Sequence, residues 1–482
     1  ATTFDLDFDT IAEQFTFTRG SEATFVNAQG LIQSTNELGS EEIVNGDFAT
    51  NSDWTKGAAT ISGGLLNLLG GGSLSYAFQN NSNLVVGKQY LATYTIVSIS
   101  NAGTGVRVRV GNGGNGSYRT TVGTFSEVIT CSGSLEIFIE GNSTSFIGSI
   151  DNVSVKEYIT ATNTPRLDYS TGAKAFLLEP QSTNLITYSE DFSQWTQQSG
   201  VTPTYNTTET LSPDGTYNAT KFIGNGSAGI LKSGIFATGV VTRSIYLKSV
   251  VGTVNVFLKD PNITITSKSL TVTEEWQRFE LIESNGSSAQ GIWISGIPAS
   301  GVYIWGGQLE QNSYATSYIP TSGASATRNQ ELCNNATPVI NSEEGTLYAE
   351  ISALADDLTN RYLGLSDNSQ SNRIAIGFTS AGANRIRLLM TSGIGNYVDI
   401  SYTVSNITSN TKIAISYKLN DVSLWVNGLK VGADTSAVMP SGLSELNFDS
   451  GTGGSPFFGN TKDLKYYPKA LADVQLQDLT TI

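Results

Sequence analysis

A chain of 482 residues, 39% of them apolar, is long enough for about three domains and apolar enough for packed cores, which excludes wholesale disorder. Only 14% of residues are charged, and a net charge of −15 excludes the basic face that a nucleic-acid partner requires. Histidine is absent, which removes Ser-His-Asp and Cys-His catalysis, histidine-held zinc and the commonest general base.

In chain order, residues 15–36 (FTFTRGSEATFVNAQGLIQSTN) predict a small β-hairpin. The phrase IVNGDFATNSDWT (43–55) then opens a set of short strands: QYLATYTIVSI (89–99), GVRVRVG (105–111) and LEIFIEG (135–141), closing on SFIGSIDNVSVKEY (145–158). Between them GNGGNGS (111–117) lacks the Lys-Ser/Thr of a phosphate loop and reads as a flexible turn. A second hairpin is predicted over 164–186, after which ITYSEDFSQWT (186–196) repeats the opening phrase. TRSIYLKSV (242–250), VNVFLKD (254–260) and GIWISGI (291–297) lead to GVYIWGGQLEQNSYATSYIPT (301–321), and TSGASATRNQ (321–330) echoes the first hairpin. EGTLYAEIS (344–352), KIAISYKL (412–419) and VSLWVNG (422–428) form a last strand set. One helix is predicted over 470–479, with Leu471, Val474 and Leu479 near one face and Asp473 able to cap it.

Short β-branched or aromatic strands bounded by Gly, Asn, Ser or Pro predict an all-β fold of sandwiches. The repeated phrase places sandwiches at 41–157 and 189–320, with Phe48, Trp54, Phe192 and Trp195 as core anchors, and a third sandwich fills 342–482. Residues 1–40 are expected as an N-terminal attachment or hairpin segment, 158–188 as the second half of that hairpin unit, and 321–341 as a linker. The first sandwich is thereby inserted between two halves of one unit, which is tolerated where the ends of the insert lie close together. Cys131 and Cys333 are expected as separate buried thiols. No run approaches the roughly 18 apolar residues of a membrane span, and ATTFDLDFDT has neither region of a signal peptide.

TFTRGSEATFVNAQGLIQ, PRLDYSTGAKAFLLEPQSTNLITYSEDFSQW and ATSYIPTSGASATR together resemble segments of bacteriophage tail and appendage proteins. VNGDFATNSDWT with SIDNVSVKE resembles the first and last strands of carbohydrate-binding-module jelly rolls. VSLWVNGLKVG with LKYYPKALADVQLQDL resembles the concanavalin-like (laminin-G-like) sandwich. The resemblance implies tandem jelly rolls with a C-terminal concanavalin-like sandwich. It implies a tail or head fibre on the virion surface, a homo-oligomer (a trimer) joined to other virion proteins through its N-terminal segment and directed at host-surface glycan. It also implies a structural calcium held by Asp47 and Asp151, with the Asn45 or Asn152 carbonyl nearby. In the second sandwich Asp191 matches, but the closing strand offers Gln308 and Glu310 in place of an aspartate.

Tyr118, Tyr397 and Tyr402 lie beside Gly- and Asn-rich turns and are the candidates for a glycan-binding rim. The adjacent acid pairs Glu274–Glu275, Glu343–Glu344 and Asp356–Asp357 cannot each be a glycosidase dyad, since strand neighbours point to opposite faces. No catalytic residue is assigned. The reading is a non-enzymatic virion appendage, against a glycan-degrading enzyme of the concanavalin-like type or a capsid decoration protein without receptor binding.

Overall fold

The computed structural model describes residues 2–71, 74–142, 145–261, 267–393 and 397–482, apart from the side chains of 285–289. The fold is all-β, as the alternation predicts, with short helices at Ile11–Gln14 and Asp473–Thr480. Val106–Val110 shows the local rule: Val106, Val108 and Val110 are buried, while Arg107 and Arg109 are half-buried on the other face.

In the first sandwich a six-stranded sheet built on the antiparallel pair Gln89–Asn101 and Ile147–Ile159 faces a five-stranded one. The five-stranded sheet runs Gly114–Asn115, Val106–Val110, Glu136–Gly141, Tyr76–Asn80, Thr55–Gly57. Leu66, Ile96, Val108, Ile139 and Phe146 belong to the core. GNGGNGS is not a free turn. Gly114 is buried against Val110, and a Cβ there would lie 2.0 Å from the Val110 carbonyl oxygen, so only glycine fits.

The second sandwich curls from one eight-stranded sheet, in which Gly229–Ser249 and Gln277–Ser295 pair almost end to end through two register shifts. Arg243 lies fully buried inside it, paired with Asp260 and Glu283.

The third sandwich takes strands from well outside 342–482. Its larger sheet holds Glu344–Ala353, Thr411–Lys418, Asp421–Val426, Leu429–Asp434 and Gly459–Tyr467, and to Gly459–Tyr467 are added Ala175–Leu178 and Phe4–Asp5. Phe4, Leu6, Ile11, Phe15 and Phe17 enter the same core as Phe176 and Leu178. The segment read from sequence as an attachment segment therefore packs its apolar side chains into this chain's own core: a piece this small buries its phenylalanines only against a larger sheet. Asn427 and Gly428, both at positive φ (49° and 81°), make the two-residue turn between Asp421–Val426 and Leu429–Asp434. The closing helix begins at Asp473, later than expected, because the Ala472 N–H donates to the Gln475 side chain and sets the first turn there. In that register Leu476 is fully buried and Val474 is 68% exposed, which corrects the expected face. Cys131 and Cys333 are separate buried thiols, as expected.

Between the sandwiches lies a hub. Thr16–Thr18 pairs with Leu332–Asn334, and Ser182–Asn184 pairs with Ala326–Arg328, so the segment read as a linker is braided into both hairpin segments. The insert enters and leaves at one place: the Ala161 N–H donates to the Asn36 side chain (2.9 Å) and the Asn163 N–H to the Arg19 carbonyl (3.0 Å). Arg19, Arg166 and Arg328 converge on Glu179 and Glu331, all five buried. Arg19 reaches Glu331 at 2.7 Å, Arg166 pairs with both carboxylates, and Arg328 meets Glu179 at 2.8 Å.

Candidate functional site

Asp47 and Asp151 stand on adjoining segments, since the Val153 N–H donates to the Gly46 carbonyl at 2.9 Å. Each carboxylate is engaged locally: Asp47 accepts from the Ala49 N–H, and Asp151 accepts from the N–H and side-chain amide of Asn152. The Asn45 carbonyl is taken by the Trp54 indole N–H at 3.0 Å. Among the described residues no group of three or more His, Cys, Asp or Glu is placed to hold a metal. Calcium takes six to eight oxygens. In the second sandwich Asp191 caps the turn Phe192–Gln194 and faces Arg119 of the first sandwich at 3.6 Å, while Gln308 and Glu310 are fully buried.

The three tyrosines do not form one rim. Tyr397 is 67% exposed, whereas Tyr402 is half-buried against the third core. Lying an odd number of positions apart on strand Tyr397–Thr403, they point to opposite faces of the sheet. Tyr118 belongs to the first sandwich and meets a set of residues that sequence reading missed.

That set covers the outer face of the five-stranded sheet in two cross-strand rows. In one row Arg107 lies opposite Glu140, Glu140 opposite Tyr76, and Tyr76 opposite Gly57. In the other, Arg109 lies opposite Phe138, and Phe138 opposite Phe78. The Arg107 guanidinium sits 4.4 Å from the Tyr118 ring centre and Arg109 sits 4.4 Å from that of Phe138, while Phe78 and Phe138 stack at 4.9 Å. Glu140 holds both arginines, at 2.7 Å from Arg107 and 3.3 Å from Arg109, which fixes their forks in place. All these aromatic rings are half-buried, so part of each faces water. Two guanidiniums share the Glu140 carboxylate here, on a ring-paved surface of an acidic chain. The detectable signal was the wet half of two alternations, R-V-R at 107–109 and F-I-E at 138–140.

The second sandwich carries a carboxyl pair of a different kind. The Asn218 side-chain amide donates to Glu190 at 2.9 Å and to Asp214 at 3.2 Å, and the Tyr318 hydroxyl donates to Glu190 at 2.8 Å. Burial, with Asp214 beside it, pushes the Glu190 carboxyl up to about 7. Unfolded, it titrates at its usual value of about 4.3. The folded state therefore holds this proton more tightly, and stability falls as pH rises between those two values. Glu190→Gln is expected to remove most of that fall, on the order of 2–3 kcal/mol. In thermal melts the variant should gain at pH 8 and match the parent at pH 4; parallel curves would assign the slope to another group.

No protein-family model matches the chain, and no curated protein matches it. Solved structures resemble parts of it, among them carbohydrate-binding-module β-sandwiches. The CBM40 of the Ruminococcus gnavus IT-sialidase bound to α2,3-sialyllactose is 15% identical over 29% of this chain and 84% of its own, with a TM-score of 0.26. Domain 4 of AbnA, a GH43 extracellular arabinanase from Geobacillus stearothermophilus, in complex with arabinotriose, is 17% identical over 35% and 84%, with a TM-score of 0.28. The CBM22-1 xylan-binding domain of Paenibacillus barcinonensis Xyn10C is 18% identical over 28% and 94%, with a TM-score of 0.22. Among the described residues no helix is long and apolar enough to cross a membrane.

Proposed function

We propose that the protein is a non-enzymatic glycan-binding appendage of the virion surface, a tail or head fibre, and that the outer face of the first sandwich is its binding face. The observation that carries the glycan reading is the pairing of guanidinium and ring at Arg107–Tyr118 and Arg109–Phe138. Aromatic faces stack on the apolar faces of sugar rings, and fixed guanidinium forks donate to hydroxyl or carboxylate oxygens. Support for a fibre comes from sequence: the segments that resemble phage appendage proteins are those braided into the hub, where they hold three sandwiches as one support. A trimer in light scattering is the companion expectation.

The reading against catalysis rests on the absence of histidine and on the setting of Glu190 and Asp214. Their bridge, Asn218, is backed by Trp305, and Glu190 itself is backed by Tyr318. Purified protein on an array of bacterial surface glycans is expected to bind without releasing reducing ends. Tyr118→Ala and Arg109→Gln should each weaken that binding about tenfold or more, the effect of about 1.4 kcal/mol, with little change in melting temperature. Reducing-end release would favour the degrading enzyme, and array binding untouched by both variants would move the site elsewhere.

A further inference from the structure

A second cleft lies where hairpin 24–34 leans on the second sandwich. The Ile32 N–H donates to the Pro213 carbonyl at 2.9 Å, and two cavities, of about 440 and 360 Å³, meet at Val26, Ile32 and Tyr246. The floor follows from strand pairing. Tyr246 lies opposite Arg278 and Leu247 opposite Gln277, so the next positions along, Lys248 and Trp276, flank the same face. Aromatic and cation alternate in both directions: Tyr246 faces Arg278 with the guanidinium 5.4 Å from its ring centre, and Lys248 neighbours Trp276.

The larger cavity is lined by Tyr246, Lys248 and Trp276 on the floor, by Leu31 and Ile32 on the opposite wall, and by the 210–213 turn. Lys248 is its one charged lining residue among the described residues, and no described carboxylate lies within salt-bridge distance of Lys248 or Arg278. The Lys248 ammonium donates to the Thr210 hydroxyl at 3.1 Å, which leaves its charge unneutralised. The Trp276 indole N–H is spent on the Leu211 carbonyl at 2.7 Å, so what the cleft receives from Trp276 is its ring. The acids lining the smaller cavity are engaged elsewhere: Asp168 accepts from the Val26 and Ser170 N–H groups, and Glu179 belongs to the hub.

We propose that this cleft is a second binding site, for an acidic saccharide: a sugar ring stacks on Trp276 and Tyr246 and its carboxylate meets the ammonium of Lys248. The match is chemical. An unpaired cation in an acidic protein selects an anion, an aromatic floor selects a ring with an apolar face, and the Thr210 and Ser212 hydroxyls suit a ring bearing hydroxyls. The site lies on another sandwich from the Arg107–Tyr118 face and does not depend on it.

Calorimetric titration of the full chain tests this with tri- and tetrasaccharides of galacturonate and glucuronate and of sialate, with their methyl esters, and with neutral galactose oligomers. At least one acid form should bind, its ester at least tenfold more weakly, and affinity should fall with added salt. Lys248→Gln, which keeps a donor for Thr210, should abolish the acid-over-ester preference with the melting temperature unchanged; Trp276→Leu should weaken acid and ester alike. Tyr118→Ala should leave this preference intact, which separates failure here from failure of the first-sandwich face. Equal binding of acid and ester, no binding of any acid form, or a preference surviving Lys248→Gln overturns the proposal. So does a Lys248→Gln variant that changes the oligomeric state in place of ligand binding, since a second copy would then cover the cleft.

Discussion

Glu331→Ala is expected to destabilise the protein by about 3–5 kcal/mol, because it leaves the buried Arg19 without a carboxylate and three buried guanidiniums with Glu179 alone. Arg19 and Arg166 both donate to Glu331, and the Glu179 N–H donates to it as well at 2.9 Å. No solvent reaches the group to replace the lost charge: Arg166 and Glu331 are 0% exposed and Arg19 1%. Glu331→Gln should cost nearly as much, since its amide would turn a donor toward a donor. The surface pair Lys418–Asp421, with both side chains more than half exposed, is the control, and Asp421→Ala should stay within about 0.5 kcal/mol. Acid should loosen the Glu179 side of the hub only at very low pH. Burial by itself would raise the Glu179 carboxyl, but Arg328, Arg166 and the Ser317 hydrogen bonds outweigh it and hold it at about 2. A depressed carboxyl contributes stability that is full above its unfolded value and lost only as pH falls toward that lower one. Because the hub joins three separate stretches of chain, thermal melts of Glu331→Ala should separate into more than one transition, with earlier proteolytic cutting near 36–41 and 158–163. A single transition at the parent temperature would show that something else fastens the sandwiches together.

The hub shows why part of this molecule was not legible in sequence. Periodicity marks which residues of a strand are buried, so the strands, the all-β class and the two buried cysteines could be read directly. A charged residue carries the opposite prior: it reads as solvated unless a partner is known, and Glu331, the partner of Arg19 and Arg166, lies 312 and 165 positions away from them. The available signal was repetition: Thr-Arg at 18–19 and 327–328 and Pro-Arg at 165–166, each in a segment with few other charges. For the same reason the 1–40 and 321–341 segments read as attachment and linker. Each is too short to form a core, and nothing local says that the core it joins is another sandwich's. The binding faces failed differently. Tyr118 was found because it stands beside a glycine-rich turn, but Arg107, Arg109 and Lys248 were read only as the polar half of an alternation, and pairing register alone brings them next to rings.

Trp195→Ala and Trp54→Ala should each cost about 3–5 kcal/mol, the range for removing a buried large aromatic. They should do so for one reason, which is also why the phrase occurs twice. Phe48 and Trp54 lie 5.3 Å apart, Phe192 and Trp195 lie 4.9 Å apart, and all four are buried. In both copies the indole N–H reaches back across the turn to a carbonyl that precedes the phenylalanine, Asn45 at 3.0 Å and Tyr188 at 2.8 Å. In both, a neighbouring carbonyl accepts from the closing strand: Gly46 from Val153 at 2.9 Å, and Ser189 from Gly307 at 2.8 Å. The phrase is thus a clasp: Phe and Trp plug the open end of the sandwich while the backbone beside them ties the first segment to the last strand. Trp→Phe at either site keeps a ring but loses the indole hydrogen bond and part of its volume, and should cost about 1–3 kcal/mol. Backbone approach supplies an independent check. A Cβ at Gly46 would lie 2.0 Å from the Val153 carbonyl oxygen, so Gly46→Ala should open the first clasp with both aromatics intact. Melts followed by tryptophan fluorescence in the single variants should show Trp54→Ala and Gly46→Ala lowering the same transition, that of the first sandwich. If Gly46→Ala leaves that transition in place while Trp54→Ala lowers it, the aromatics act as core filling alone and the tie to the closing strand adds nothing.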